Sequence, residues 1–499
     1  MRPCRRTHTP FRAATALAAV SLVLAAFGPG PESPRGLWVA VGTGVEFREF
    51  TLPGPNRAFV ARMDRSNAAV TLDTMIAQGL EDDRRETVST MATREEGAIN
   101  SWNGRWGTRN DVIVAINGSF HDRLTGAVGG ARVHGGWYSG WAGEGTGTLG
   151  FGWTMERETL WGRCIFAPPP RQVLTFLENG HTEAIHGINV GPGGERIVLY
   201  TPEFEPFSPG DPTGAEVLVE MSRPAMIIPL PRMATGIIRA VRTPADQAIP
   251  IPFDHIVIAG YGLRGGALSE NAHVGEEIGI SLELQDLGDG CQSPEVEDWS
   301  KTYAGLDVGV AFLQAGEIVH DPAPFSISQH PRTAVAFDDD YVYFIVVDGR
   351  APGYSLGMTL DELGEFARDS LSAEWGLNLD GGGSSTIWVN GVVENRPSDG
   401  YERAVPDGLM MVAVDPMVLS KALRTGAQVT TSRAIEIRLG PGYNYTALTP
   451  IPSATEGVVQ SDRGSLGGVV ATGTAWWPVD FSGTAGWVPE DALSLVPAR

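Results

Sequence analysis

The chain predicts an α+β fold, with a large β-rich, mixed-sheet domain containing few helices, followed by a small all-β module. Three observations carry this. Of 499 residues, 63 are Gly and 35 are Pro, a density of turn formers that suits many short strands. Hydrophobic residues make up 42%, enough to bury a sizeable core over this length. Helical periodicity is confined to two stretches, whereas short apolar or alternating runs recur along the rest.

Arg2, Arg5, Arg6 and Arg12 form a basic start, and Ala13 to Phe27 is apolar. The pattern predicts a signal peptide over residues 1–28, hence a secreted or periplasmic protein, with a retained anchor as the alternative. The apolar run is short for a bilayer-spanning helix, so no membrane association is expected once the signal is cleaved. Residues 29–39 are Gly/Pro-rich and read as a linker. Short strands fill residues 40 to 75. Arg85 to Asn100 reads as a helix, with Met91, Ala92, Ala98 and Ile99 on one face and Thr93 with Glu96 as its cap. Asp111 to Ile116 is a buried strand ending at Asn117-Gly118.

From Gly126 to Gly152 the chain is rich in Gly and Trp. Trp137, Tyr138 and Trp141 suit stacking on sugar rings, although core packing is the plainer reading. Strands are expected at 196–200, 216–220, 225–228 and 255–259. Thr333 to Asp348 reads as a hairpin about Asp338-Asp339-Asp340. The clearest helix is Leu360 to Leu371, opened by the capping box Thr359/Glu362. Composition shifts near Pro416. Residues 417–427 read as a second linker and 428–499 as a separate small barrel of alternating strands.

Lys and Arg total 37 against 59 Asp and Glu, a net charge of −22. This excludes non-specific nucleic-acid binding and docking on anionic lipid. Cys4 lies in the signal, leaving Cys164 and Cys291 as one disulfide or two thiols. No Cys-based metal site exists. His181 and His186 lack a carboxylate at ligand spacing. There is no phosphate-binding G-x-x-x-x-G-K-[ST] motif, and GGSST is not a nucleophile elbow.

The most informative stretch is Gly376 to Asp407. A short strand, Leu377 to Leu379, delivers Asp380 to Gly381, Gly382 and Gly383, then Ser384, Ser385 and Thr386. A second strand, Ile387 to Val389, ends in an Asn390-Gly391 turn. Bare glycine backbone lets a ligand approach the N–H groups, and hydroxyls can bind phosphate or sugar oxygens. A flexible loop with a solvated Asp is the plain alternative.

NLDGGGSST, followed by NRPSDGYER, resembles the signature of the phosphodiester glycosidase family. Ala115 to Phe120 is similar to that family's INGGFF-type strand end, Pro331 to Ala336 to its PRTAVG segment, and Val347 to Arg350 to its VDGR. The resemblance covers roughly residues 40 to 416, a β-rich catalytic domain. His121 and Ser119 depart from the family pattern around Phe120. Ile435 to Gly442 and Trp477 to Leu493 resemble the opening and end of bacterial SH3-like barrels.

The resemblance implies hydrolysis of a sugar-1-phosphodiester, a phosphodiester-linked carbohydrate as partner, and no cofactor. A divalent cation near Asp348 or Asp380 stays open as an addition. Phosphate already leaves well, so the site needs a carboxylate at the anomeric carbon and stabilisation of phosphate charge. Asp380 is the expected catalytic carboxylate, with Asp348 and Asp122 as further candidates and Asn117 holding a sugar hydroxyl or orienting Asp380. Arg332, Thr333, Arg350, Arg396 and the cradle from Gly381 to Ser385 are the expected substrate contacts, and Arg403 adds a fourth basic group. The SH3-like module is expected to dock on a cell-wall polymer. A non-catalytic glycan or cell-wall binder is the alternative, and a glycosidase for another linkage is a third reading.

Overall fold

The computed structural model describes residues 37–79, 84–96, 99–102, 105–108, 110–128, 130, 132–134, 137–139, 149–154, 156–163, 171–202, 205–221, 233–283, 302–414, 423–443, 445–460, 469–471 and 474–496. The expected signal peptide, the strand expected at 225–228, Trp141, Cys164 and Cys291 lie outside them, as do the side chains of Trp137 and Tyr138.

Two sheets build the site. The first has eight strands, ordered Val39–Gly42, Val45–Leu52, Asn56–Asp64, Tyr341–Val347, Arg332–Phe337, Trp375–Asn378, Ala311–Gln314 and Glu317–Ile318. The expected hairpin forms here, with Arg332 opposite Val347 and Phe337 opposite Val342. The second has five strands, ordered Val392–Val393, Ile387–Val389, Asn110–Asn117, Asp407–Val414 and Val70–Ile76. Its central strands, Asn110–Asn117 and Asp407–Val414, are almost entirely buried, as their near-continuous apolar sequences require. A third sheet centres on Thr302–Val308. One core joins all three through residues such as Met63, Leu72, Val114, Ile116, Phe151, Leu306, Phe344 and Leu409.

The other face of the first sheet is closed by helix Leu360–Leu371. Its buried face is Leu360, Leu363, Phe366, Ala367 and Leu371, and Phe366 meets Phe50 edge-on at 5.1 Å. Thr359 accepts from the Glu362 N–H while the Glu362 side chain accepts from the Thr359 N–H, so the capping box forms as expected.

Sequence and structure part in three places. The first helix is Val88–Glu95, capped by Thr87 accepting from the Thr90 N–H; Ile99–Trp102 is already a strand. Thr93 is mid-helix and returns its hydroxyl to the Ser89 carbonyl at 2.8 Å, which is why it does not cap. A helix over Leu263–Asn271 was not expected, because Gly265 and Gly266 lower its propensity. Close packing calls for Gly265, where a Cβ would sit 2.9 Å from the Gly260 carbonyl oxygen. This helix covers an eight-stranded sheet that runs from Arg171–Phe176 to Glu277–Glu283 in the chain and has its own core, including Leu174, Leu199, Val219, Ile256, Ile258 and Ile280.

Third, the strands from Gln428–Thr431 to Leu493–Leu495 curl into a ten-stranded sheet that also takes in Ile99–Trp102 and Arg105–Thr108. It packs onto the preceding domain. Phe253 lies edge-on to Tyr445 at 5.9 Å and to Trp487 at 5.8 Å, and its N–H donates to the Leu439 carbonyl at 2.7 Å. Leu423, within the expected linker, is buried in the C-terminal core. Residues 36–499 pack as one unit.

Thr359→Ala removes one of two reciprocal cap bonds and is expected to cost about 1 kcal/mol. A urea titration giving a loss below a few tenths would contradict that role.

Candidate active site

The ends of the first two sheets meet at Asp380. Strand Trp375–Asn378 stops just before it, and its main chain is held on three sides. The Asp380 N–H donates to the Gly118 carbonyl at 2.9 Å, the Leu379 N–H to Thr333 at 2.8 Å and the Gly382 N–H to Pro331 at 2.9 Å. The Asn117 side chain donates to the Asp380 carbonyl at 2.6 Å and accepts from the Thr333 hydroxyl at 2.8 Å and the Thr386 N–H at 3.1 Å. Asn117 and Thr333 are fully buried. Asn117 was expected to hold a sugar hydroxyl or to orient Asp380, and the second role is the one its contacts fit; Thr333 was expected at the substrate and instead joins Asn117 in stapling the two sheets.

The Asp380 carboxylate opens into a cavity of about 270 Å³, lined by Phe120, Arg123, Phe325, His330, Pro331, Arg332, Arg350, Asn378, Asp380, Gly381 to Gly383 and Arg403. The Asp380 side chain is 17% exposed, and His121 Nδ1 lies 3.5 Å from its Oδ2. Burial lifts its pKa above the ordinary range; a Ser384 hydrogen bond, His121 and Arg403 pull it down, and Asp407 pushes it up again.

Each glycine of the triplet has a steric reason. A Cβ on Gly381 would sit 2.7 Å from the Pro331 carbonyl oxygen. Gly382 has φ +66°, and its Cβ would sit 2.9 Å from Arg350 Nη2. A Cβ on Gly383 would collide with Arg403 and Asp399. The bare loop thus lets two guanidinium groups lie against its backbone. Arg350 itself adopts φ 60°, an uncommon conformation for a non-glycine residue that marks functional sites. Arg403 is oriented by Asp399, with Nε at 2.9 Å and Nη2 at 2.6 Å from Oδ2, and its Nη1 reaches Ser384 Oγ at 3.1 Å.

Other expected contacts lie elsewhere. Asp348, only 2% exposed, is outside the cavity lining. It accepts from Asn395 Nδ2 at 3.0 Å, the Arg396 N–H at 3.0 Å and the Tyr354 hydroxyl at 2.9 Å, although burial raises its pKa. It ties down the loop at Asn395 and Arg396 and does not line the cavity, so the geometry favours Asp380 over it as the carboxylate available to a ligand. Arg396 spreads over the Tyr354 ring at 5.6 Å, away from the cavity. Ser385 is buried, and its carbonyl holds Asn395 at 2.9 Å. Asp122 caps an exposed turn through the N–H groups of Leu124 and Thr125.

Arg332 borders the cavity but spends Nε and Nη2 on the carbonyls of Met358, Phe325 and Ser328 at 2.7, 2.6 and 2.8 Å. Burial lowers its pKa to about 10. It is first a clamp for the Phe325 segment. Phe120 and Phe325 meet edge-on at 6.5 Å on the apolar side of the cavity. His330, Phe325 and Arg123 carried no motif and were not legible beforehand; Asn378 opens the NLDGGGSST motif but was not singled out as a contact. Among the described residues no group of three or more His, Cys, Asp or Glu is arranged to hold a metal ion.

Residues 257–412 match the model of the phosphodiester glycosidase family, NAGPA. The match bears out the resemblance read from NLDGGGSST for this part of the chain. It spans Arg350, Asp380, the glycines and Arg403, whereas Asn117, Phe120 and His121 come to the cavity from outside it. No curated protein matches the chain. Among solved structures, a hypothetical protein from Synechocystis shares 18% identity at TM-score 0.50, over 77% of this chain and 64% of its own. The chain therefore spans under two thirds of that protein, and the likeness is one of fold. The zebrafish N-acetylglucosamine-1-phosphodiester alpha-N-acetylglucosaminidase catalytic domain, auto-inhibited by its pro-peptide, gives 14% identity and TM-score 0.36, over 74% of this chain and 82% of its own.

Two predictions follow from the Asp380 surroundings. Asp380→Asn is expected to lower kcat by at least about a hundredfold while circular dichroism stays unchanged; near wild-type turnover would remove its assignment. Because the folded-state pKa is raised, ionised Asp380 appears only above the ordinary carboxylate range, so kcat/KM should climb with pH through an inflection above 3.8. Arg403→Gln removes a group that lowers this pKa and should move the inflection to higher pH. An unmoved inflection would mean that Asp380 is not the titrating group.

Proposed function

We propose that the protein hydrolyses a sugar-1-phosphodiester in a glycoconjugate or cell-surface polymer, outside the cytoplasm and without a cofactor. The observation that carries this reading is the pairing of one semi-buried carboxylate, Asp380, with Arg350 and Arg403 across the glycine loop in a single cavity. The sugar ring would rest on Phe120 and Phe325, with its anomeric carbon at Asp380. The phosphate would face Arg350, Arg403 and the N–H groups of the loop, where charge-assisted bonds count most.

Asp380 then either attacks the anomeric carbon or activates water. The bond from that carbon to the phosphate oxygen breaks, and its electron pair leaves with the phosphate as a monoester. Water supplies the new oxygen, and its proton passes to solvent. A good leaving group needs little acid help, which fits the absence of a second carboxylate among the cavity-lining residues. Release of free sugar from a panel of sugar-1-phosphodiesters by purified protein tests this. Tight glycan binding without release would favour the receptor reading instead.

Export is supported by the basic, then apolar, start of the chain. For the C-terminal sheet the reading is an SH3-like docking module. Arg433, Ile435, Arg438, Tyr443, Pro450 and Pro489 line an open groove of about 340 Å³ there, and Arg438 sits over the Tyr443 ring at 5.4 Å.

Arg350→Lys should lower kcat/KM at least about tenfold, because a point charge replaces a planar fork; equal activity would show that no bidentate contact is made. Tyr443→Ala should leave kcat on a soluble substrate unchanged and weaken co-sedimentation with cell-wall material. Unchanged sedimentation would take the groove out of any docking role.

A further inference from the structure

Arg350 lines the cavity, yet among the described residues its side chain makes no hydrogen bond or ion pair. Its guanidinium lies against bare Gly382, so its direction is set by its own main chain, which turns through φ 60°. That main chain belongs to a tight loop. The Arg350 N–H donates to the Leu356 carbonyl at 3.2 Å, and Ala351 and Ser355 exchange two N–H bonds of 2.9 Å. The N–H groups of Leu356 and Gly357 donate to Asn56 Oδ1 at 3.1 and 2.9 Å, and the Ser355 hydroxyl donates to the Asp348 carbonyl at 2.6 Å. These bonds hold the base of the loop.

The side chain of Tyr354 anchors the tip. Its hydroxyl donates to Asp348 Oδ2 at 2.9 Å, and the guanidinium groups of Arg57 and Arg396 stand over its ring, 5.7 and 5.6 Å from the centroid. Burial, then the field of Asp348, lifts this phenol to about 12, so it keeps its proton and donates throughout the working range. Asp348 carries the constraint onward. It accepts from Asn395 Nδ2 at 3.0 Å and from the Arg396 N–H at 3.0 Å. The same Asn395 amide donates to the Ser385 carbonyl at 2.9 Å and accepts from the Ile387 N–H at 2.9 Å, just past the glycine loop. Further along this segment Asp399 orients Arg403. One buried carboxylate thus joins the Arg350 loop to the segment that leads to Arg403, and Tyr354 is the side chain by which the loop tip reaches it.

We propose that Tyr354 is a positioning residue for Arg350: through its hydrogen bond to Asp348 it holds the Arg350 loop in register with the segment from Asn395 to Arg403. Tyr354 does not line the cavity, so it acts on a ligand only through the guanidinium it places. Two guanidinium groups held in fixed relation lose little freedom when an anion arrives, which is where their affinity comes from. That the anion is a substrate phosphate rests on the phosphodiester glycosidase reading above; the placing of Arg350 does not.

Tyr354→Phe removes one hydroxyl. It keeps a ring beneath both guanidinium groups and leaves Asp348 its donors from Asn395 and Arg396, so the fold survives. In the full-length protein the Arg350 Nε–H resonance, assigned by its loss in Arg350→Gln, should shift or broaden in Tyr354→Phe. An unchanged resonance would overturn the proposal. Inorganic phosphate, titrated by calorimetry, should bind Tyr354→Phe at least about fivefold more weakly than wild type. It should bind Arg350→Gln and the double variant Tyr354→Phe/Arg350→Gln equally, because the hydroxyl has nothing left to place. A hydroxyl that serves the fold at large would weaken phosphate by the same factor in both backgrounds, and that additive result would also overturn the proposal. On any substrate the enzyme turns over, kcat/KM should follow the same cycle. A resonance that moves in a protein whose wild type binds no phosphate would uphold the placing of Arg350 and remove the phosphate reading, so the two fail separately.

Discussion

The amide of Asn117 is the contact on which the site depends. Its three hydrogen bonds join the end of a strand in one sheet, the first residues of a strand in the other, and the loop that carries Asp380. No other side-chain type offers both a donor and a two-lone-pair acceptor at this length except Gln, which is one methylene too long. A carboxylate here would face the Asp380 carbonyl with no proton to give. The amide is sealed from water, so each partner left unmatched would cost roughly 1–3 kcal/mol. The Asp380 carboxylate is thus placed by main-chain contacts and a buried amide rather than by a flexible side chain.

The second constraint is electrostatic. A chain of net charge −22 repels an anionic substrate at long range. The cavity reverses the sign locally with Arg123, Arg332, Arg350 and Arg403 around one carboxylate. Three glycines let two of these guanidinium groups come against the loop where any Cβ would displace them. Asp399 fixes one of the two, and the other is held by a backbone conformation that most residues avoid. On the proposed reading, such a preformed site would need little reorganisation as charge moves to a leaving phosphate.

Much of this was legible in the sequence. The capping box at Thr359, the hairpin about Asp338 to Asp340 and the strand ending at Asp380 carry local signals with a short-range cause, and they form where expected. Asn117 and Thr333 both stood in motifs; for Asn117 the sequence left two roles open, a sugar hydroxyl or the orientation of Asp380, and for Thr333 it pointed to substrate, since a motif does not say which way a side chain faces. Phe325 and His330 were invisible because only the pairing of distant strands brings them to the cavity. The Leu263–Asn271 helix was missed because tertiary packing overrides the low helix propensity of its two glycines. The junction at Phe253 was missed for a related reason: an apolar residue followed by a turn looks the same whether it meets solvent, its own core or another sheet.

Asp348 and Asp380 show most sharply what a sequence leaves open. Both follow apolar strands of the same sheet, both precede glycine, and burial raises both pKa values. The difference lies in what satisfies them. Asp348 has donors from an amide, a backbone N–H and a phenol, and it is sealed. Its charge is spent on holding a loop. Asp380 has one serine and an imidazole at the edge of hydrogen-bonding reach, and part of its carboxylate opens to the cavity. An under-satisfied, partly desolvated carboxylate is held at a free-energy cost that ligand contacts can recover, which is what a group acting on a developing positive centre requires. Such a site persists only in a frame stiff enough to tolerate the cost, and the Asn117 staple between the two sheets supplies that frame.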